Sequence, residues 1–238
     1  MKKTLSIFLL AAVLLLSGCN QPGYEQTETT QAAVAAYIAA VKESVAAKGG
    51  TVSVNIHMKD TVVSKADSTQ RYEYTYTVEN ENDEHFDYRC FDGKGKLLNH
   101  YKTVDENGVG KVIDQISGEE SDQFASYLRH NKNPISTLQL FRMDAGYRLQ
   151  HSAISAISME EKDGAQIITV EFHGNKLTNT VIRSENGLNR TVTSHKRIYT
   201  LREGKIAKIE IYDRENVHYK EETGTMDTDT VVEVNYTK

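Results

Sequence analysis

The sequence predicts an α+β fold, a single curled antiparallel sheet of about ten strands that forms a half-barrel. An N-terminal helix and two inserted short helices are expected to cover its concave face. Two observations support this. Most of the chain after residue 50 alternates apolar and polar residues, which is typical of strands with one buried and one solvated face. An alanine-rich stretch with helical periodicity precedes these strands, and a second helical stretch interrupts them.

The N-terminal helix is predicted over residues 31–48, a segment rich in alanine, the best helix former. Its larger apolar residues recur at helical spacing and form one stripe, made of Val34, Tyr37, Ile38, Val41 and Val45. Gly49 and Gly50 are expected to end the helix. We expect the stripe to pack on the sheet.

Alternation predicts a first set of strands at residues 51–58, 72–79, 85–90, 97–104 and 109–116. The sequence Asp92-Gly93-Lys94-Gly95 is typical of a hairpin turn, in which glycine supplies a positive φ. The acidic segment at residues 79–84 is expected to be a solvated hairpin tip.

The middle of the chain, residues 117–145, is predicted to form two short helices. Ser117 and Glu120 fit a capping box at the start of the first, and Pro134 fits the first position of the second. Strands are then predicted at residues 152–161, 165–173, 189–202, 205–214 and 228–236. Residues 177–187 show no clear preference.

The N-terminus has the three parts of a bacterial signal peptide: a basic start at Lys2 and Lys3, an apolar run over residues 5–16, and a cleavage site. The cleavage site is the sequence Leu16-Ser17-Gly18-Cys19, and on these residues the chain resembles bacterial lipoproteins. The resemblance implies cleavage before Cys19 and acylation of Cys19. The alternative is a signal-anchor helix followed by a chance cysteine. The apolar run over residues 5–16 is too short for this, because a spanning helix needs about 20 apolar residues.

Three segments are therefore predicted: a signal peptide at residues 1–18, a lipidated N-terminus and flexible tether at 19–30, and one α+β domain at 31–238. Lipidation of Cys19 would anchor the protein to a bacterial membrane on its extracytoplasmic side. It would also leave Cys90 with no disulfide partner in the chain.

The formal net charge is −5, and loss of Lys2 and Lys3 makes it about −7. This acidic balance argues against nucleic acid and against electrostatic binding to anionic lipid head groups. Attachment to the membrane would therefore depend on the acyl chains, and several acyl chains on one residue suffice for stable anchoring.

The predicted order of elements, helix, strands, two helices and strands, resembles the LolA-like fold of lipoprotein carriers and their lipoprotein relatives. The resemblance covers the mature chain and depends on element order rather than on a residue motif. It implies transport or sensing of acylated or otherwise apolar ligands in the cell envelope. No binding residue is transferred on this basis.

Motifs of enzymes are missing from the sequence. There is no Gly-x-Ser-x-Gly nucleophile elbow, no Ser-x-x-Lys pair and no phosphate loop. The eight histidines are scattered, without the spacing of a zinc site. We therefore predict a protein that is not an enzyme and has neither a cofactor nor a metal.

A row of tyrosines on one predicted strand face is the most suggestive feature for function. Tyr72, Tyr74 and Tyr76 alternate along one strand, whereas a dry core would more economically use Phe, Ile or Leu. The row suggests the lining of an apolar cleft that binds a lipid or an acylated partner. The full predicted lining is Tyr72, Tyr74, Tyr76, Val54, Ile56 and Tyr88.

The alternative is a sheet core whose tyrosine hydroxyls reach the rim. The protein would then be a structural or protein-interaction lipoprotein with a filled core and no small-molecule ligand.

Overall fold

The computed structural model describes residues 23–80, 83–106, 109–121, 153–174, 181–183 and 187–237. Across these residues the chain forms one helix, α1 (Glu28–Val45), and eleven strands. The strands are β1 (Gly49–Asp60), β2 (Asp67–Asn80), β3 (Asp83–Asp92), β4 (Leu97–Glu106), β5 (Val109–Asp114), β6 (Ile154–Lys162), β7 (Ala165–His173), β8 (Val181–Arg183), β9 (Leu188–Arg202), β10 (Lys205–Tyr219) and β11 (Glu222–Tyr236).

The strands build one antiparallel sheet in the order β5-β4-β3-β2-β1-β11-β10-β9-β7-β6, and β8 pairs with β9 outside this path. The sheet is curled and stays open, with β5 and β6 at its edges, as the half-barrel prediction requires. The first and last strands lie together in its middle, where Val52 on β1 is opposite Val234 on β11 and Tyr74 on β2.

Helix α1 begins three residues earlier than predicted because Thr27 caps it. The Thr27 hydroxyl accepts a hydrogen bond from the Thr30 N–H, and the Thr30 hydroxyl accepts one from the Thr27 N–H. Tyr24, just before the cap, already packs against the core. The tether predicted to reach residue 30 is therefore shorter, and the domain boundary predicted at residue 31 moves to about Tyr24.

None of the described residues forms a helix long and apolar enough to cross a membrane.

The C-terminal end of α1 also differs from the prediction. The helix ends at Val45, and Gly49 and Gly50 are the first residues of β1 instead of the helix stop. Close packing explains Gly50: a Cβ there would lie 2.5 Å from the carbonyl oxygen of Asn235 and 3.3 Å from the Tyr76 ring.

The buried face of α1 is made of small residues, whereas the prediction placed the larger ones there. Ala33, Ala40 and Ser44 are almost completely buried, but Ile38 is 59% exposed. The cause is steric, because small side chains let the helix backbone lie close to the sheet. Tyr37 and Val41 of the predicted stripe are half-buried beside this contact and also pack against the core.

The first predicted inserted helix does not begin at Ser117. Residues 115–117 form a turn, and Glu120 makes an isolated antiparallel bridge with Ile113 of β5. The Ser117 hydroxyl accepts a hydrogen bond from Glu119 two residues on, a local contact that replaces the capping box. The rest of the two predicted helices, at residues 122–145, lies outside the described residues, as do the signal peptide and Cys19.

Strands β10 and β11 extend beyond the predicted ends at residues 214 and 228. They meet in a tight turn with Lys220 at φ 57°, and Val217 pairs with Gly224. Val217, Met226 and Val62 form a small second core at this end of the sheet. Val62 lies in the loop after β1, and the Asp60 carboxylate holds this loop by accepting hydrogen bonds from its backbone N–H groups.

Candidate ligand-binding cleft

An apolar cleft lies between α1 and the strands β6, β7 and β9. Its volume is about 80 Å³. It is lined by Ala33, Val34, Tyr37, Ile38, Ile154, Ile157, Ile168, Val170 and Tyr199. Every lining residue is aliphatic or a tyrosine, so the cleft suits an apolar ligand.

The floor of the cleft follows from strand alternation and one irregularity. Ile168 and Val170 alternate on β7 and face the core. On β6, Ile154 and Ile157 are three residues apart, a spacing that would put them on opposite faces of a regular strand. A register shift between Ile154 and Ala156 corrects this, so that Ile154 lies opposite Phe172 and Ile157 opposite Val170.

The roof of the cleft is the flank of α1. The Tyr37 ring packs on the ring of Tyr199 from β9, with centroids 4.8 Å apart. Val34 and Ile38, one helical turn apart, continue the lining. Since Ile38 is 59% exposed, the cleft opens to solvent along this flank.

The six residues predicted as a cleft lining lie together on the other half of the same sheet face. Ring centroids are 6.1 Å apart for Tyr74 and Tyr76 and also for Tyr72 and Tyr88. Val54 and Ile56 on β1 belong to the same core. None of the six is among the residues that line the cleft beneath α1.

The hydroxyls of the tyrosine row have different surroundings. The Tyr72 hydroxyl donates to Gln70 Oε1 at 2.7 Å. The Tyr76 hydroxyl is buried and has no hydrogen-bond partner among the described residues. Burial raises the pKa of Tyr76 and of Tyr88 well above the usual tyrosine value, so both remain protonated at neutral pH.

A buried polar group lies beside the cleft residue Tyr199 on β9. Arg197 and His195 are each 1% exposed, and they alternate with Tyr199 along the same strand face. The Arg197 Nε donates to His195 Nε2 at 2.7 Å, and His195 Nδ1 bonds to the Asp213 carboxylate of β10. A guanidinium on an apolar sheet face was not predicted from the sequence.

The cleft residues that sequence reasoning missed did leave a signal. Ile168 and Val170 belong to a clean alternation, and Val34, Tyr37 and Ile38 belong to the predicted helix stripe. The strand pattern predicted the burial of Ile168 and Val170 correctly, and the helix pattern did so only in part, since Ile38 is exposed. Neither pattern shows that the helix and this strand face each other.

The fold and site define a class of protein: an open, curled antiparallel sheet that carries a helix over an apolar cleft. No family model matches the sequence, and no curated protein matches it. Among solved structures, the chain is similar to LprF from Mycobacterium bovis, with a TM-score of 0.40, 6% identity, and coverage of 88% of this chain and 94% of that one.

Two further solved structures show weaker likeness. A DUF1329 family protein from Desulfovibrio piger has a TM-score of 0.28 at 10% identity, covering 88% of this chain and 92% of that one. A LolA superfamily protein, NE2245 from Nitrosomonas europaea, has a TM-score of 0.23 at 11% identity with the same coverages, 88% and 92%. Because these TM-scores lie below 0.5, the function is inferred below from the geometry of the chain itself.

Proposed function

We propose that the protein is a membrane-anchored envelope lipoprotein whose domain binds an apolar ligand, a lipid or an acylated partner, between α1 and the sheet. The observation that carries this proposal is the apolar cleft beneath α1, which opens to solvent beside Ile38. This location differs from the tyrosine row predicted from the sequence, although both lie on the same face of the sheet.

Ligand binding requires α1 to move away from the sheet. The cleft of about 80 Å³ is smaller than ligand pockets, which hold about 300–1,000 Å³. The small residues on the buried face of α1 favour such a movement, because Ala33 and Ala40 bury little apolar area each. Displacing the helix flank would merge the cleft with the space that α1 now fills.

The anchor is the part of the proposal that comes from the N-terminal sequence. Acyl chains on Cys19 would hold the domain at the extracytoplasmic face of a bacterial membrane, a short distance along the chain from the helix cap at Thr27. A cleft roofed by the first helix would then lie near the lipid surface. Binding, rather than catalysis, is the activity that an apolar cleft of this kind supports.

Native mass spectrometry of residues 19–238 tests the proposal. The chain is produced in bacteria without residues 1–18, so that Cys19 carries no lipid, and is purified with a reductant and without detergent. We expect an added mass that organic solvent removes and that is identified as a lipid or another apolar molecule. An unliganded mass that persists after incubation with lipid vesicles would contradict the proposal.

A second candidate function is supported by exposed apolar residues at the far edge of the sheet. Leu98 and Val104 on β4 are 40% and 39% exposed, and Ile116 just after β5 is 58% exposed. Exposed apolar residues beside an open strand edge are typical of protein-interaction surfaces. This alternative is a structural or interaction lipoprotein, and it would be favoured if the same experiment recovered no ligand.

A further inference from the structure

The lining of the cleft beneath α1 is suited to hydrocarbon alone. It is aliphatic apart from Tyr37 and Tyr199, whose rings pack on each other with centroids 4.8 Å apart. No charged side chain is among the described residues that line it. Because burying a polar or charged group without partners is costly, a ligand enters with its hydrocarbon end and keeps its polar end at the opening beside Ile38.

The cleft lies at an edge of the sheet. Ile154 and Ile157 of its lining belong to β6, the last strand in the order of the sheet, and α1 packs over this strand. A hydrocarbon chain can therefore enter between α1 and the edge strand without passing between paired strands. The same route allows the occupant to stay covalently attached to a group outside the domain.

The N-terminal end of the domain places the expected lipid-bearing cysteine within reach of this cleft. Tyr24 is half-buried and packs against the core cluster that contains Ala33 of the cleft. Cys19 is five residues before Tyr24, a stretch that spans at most about 17 Å. Val34 of the cleft is at most about 20 Å from Tyr24, since three residues lead to the cap at Thr27 and seven helical residues follow.

An acyl chain on Cys19 is long enough to cover this distance. The hydrocarbon core of a bilayer is about 30 Å thick, so the acyl chain of one leaflet extends about 15 Å. The tether and the acyl chain together therefore span about 30 Å from Tyr24, more than the distance to Val34. A ligand held on a short flexible tether has an effective concentration in the millimolar range, which favours it over lipids that have to arrive from solution.

We propose that an acyl chain carried by Cys19 of the same molecule occupies the cleft beneath α1 whenever the protein is outside a membrane. The bilayer and the cleft then compete for this acyl chain, and the cleft shields it from water until the protein inserts. This inference rests on the proposed function and names the ligand. An external apolar ligand has to displace the protein's own acyl chain.

The first test compares two forms of the same mature chain. The lipidated form is produced from residues 1–238 in bacteria, extracted in detergent and diluted into buffer, and the lipid-free form is residues 19–238 produced without the signal peptide. The dissociation constant of dodecanol is measured for both by native mass spectrometry. We expect the lipidated form to bind dodecanol at least about tenfold more weakly, because its own acyl chain competes for the cleft.

The second test locates the acyl chain by photochemical cross-linking. A benzophenone amino acid replaces Ile38 at the cleft or, as the matched control, Ile116, which is equally exposed at the opposite edge of the sheet. Irradiation of the lipidated protein should link position 38, and not position 116, to the acylated N-terminal peptide. An excess of phosphatidylcholine vesicles should abolish the link, since the bilayer then takes the acyl chain. A mixture of protein labelled with heavy nitrogen and unlabelled protein shows whether the link forms within one molecule.

The outcomes separate the two proposals. If the lipid-free form binds no dodecanol, or the full chain acquires no acyl chain on Cys19, the proposed function fails and this inference fails with it. If both forms bind dodecanol equally, apolar binding stands and the protein's own acyl chain is not the occupant. Links between labelled and unlabelled chains would assign the cleft to an acyl chain of a second copy and overturn the inference. The dodecanol comparison uses unsubstituted chains, so it decides even if a benzophenone variant does not fold.

Discussion

The hydroxyl of Ser44 near the end of α1 accepts a hydrogen bond from the backbone N–H of Ile206 on β10, at 2.9 Å, and both residues are fully buried. The carbonyl oxygen of the same residue, Ile206, accepts a hydrogen bond from the Tyr236 hydroxyl at 2.8 Å. The C-terminal end of α1 is thus fastened to the middle of the sheet by a polar contact, whereas apolar contacts around Tyr37 hold the flank above the cleft. If α1 moves to admit a ligand, as proposed above, we expect the helix to turn about Ser44.

Replacing Ser44 with alanine is expected to lower the free energy of unfolding by about 1–3 kcal/mol, because the Ile206 N–H would be left buried without its acceptor. Chemical denaturation measures the change. The control is Ser158→Ala on β6, where the side chain is exposed and the change should stay within about 0.5 kcal/mol. Equal stability of the two variants would show that the Ser44 contact does not fasten the helix.

Tyr76, which is buried, and Tyr236, which is half-buried, should respond in opposite directions to removal of the hydroxyl. Tyr76→Phe is expected to stabilise the fold by about 1 kcal/mol, because the Tyr76 hydroxyl is buried with no partner among the described residues. Tyr236→Phe is expected to destabilise it by about 1 kcal/mol, because the bond to Ile206 is lost. Thermal melting distinguishes the two, and a loss of stability in Tyr76→Phe would contradict the prediction.

The strands were predictable because each alternation is local. Residues such as Ile168, Val170 and Phe172 reveal their shared face without any knowledge of the partner strands. The extensions of β10 and β11 were missed because they are short and mostly polar, with Val217 and Tyr219 as the apolar residues of one and Met226 as that of the other.

The cleft was not predictable, because it depends on which segments meet. Periodicity showed that one side of α1 is apolar, but Ala33 and Val34 both fit an apolar helix face, and steric fit to the sheet decided between them. Arg197 was missed for a related reason. In the stretch His195 to Leu201, apolar residues occur on both faces, with Ile198 on one and Tyr199 on the other, so alternation does not identify the buried side.

The stability of the loop after β1 is expected to depend on pH through Asp60. Burial by itself raises the pKa of Asp60, but hydrogen bonds from the backbone N–H groups of Ser64, Val62 and Val63 and from the Ser64 hydroxyl together hold that pKa below its usual value. The ionised form therefore stabilises the fold at every pH above the unfolded pKa of about 3.9, and this contribution is lost as the pH falls through the folded pKa.

Asp60→Asn tests this dependence. The variant should be less stable than wild type by about 2 kcal/mol at neutral pH, and the difference should shrink as the pH falls below about 4. Denaturation at a series of pH values measures it, with Glu161→Gln, an exposed carboxylate on β6, as the control. A stability difference that is constant with pH would mean that the charge of Asp60 is not the cause.

Two equally exposed isoleucines allow the cleft to be tested against the rest of the surface. Ile38 lines the cleft and is 59% exposed, and Ile116 follows β5 at the opposite edge of the sheet and is 58% exposed. Glutamate at either position should change stability by no more than about 0.5 kcal/mol, because both side chains already contact water. Ile38→Glu should nevertheless sharply reduce the fraction of protein that retains an apolar ligand in native mass spectrometry, since binding would then desolvate a carboxylate. Ile116→Glu should retain the wild-type fraction, and an equal loss of ligand in both variants would place the ligand elsewhere than beneath α1.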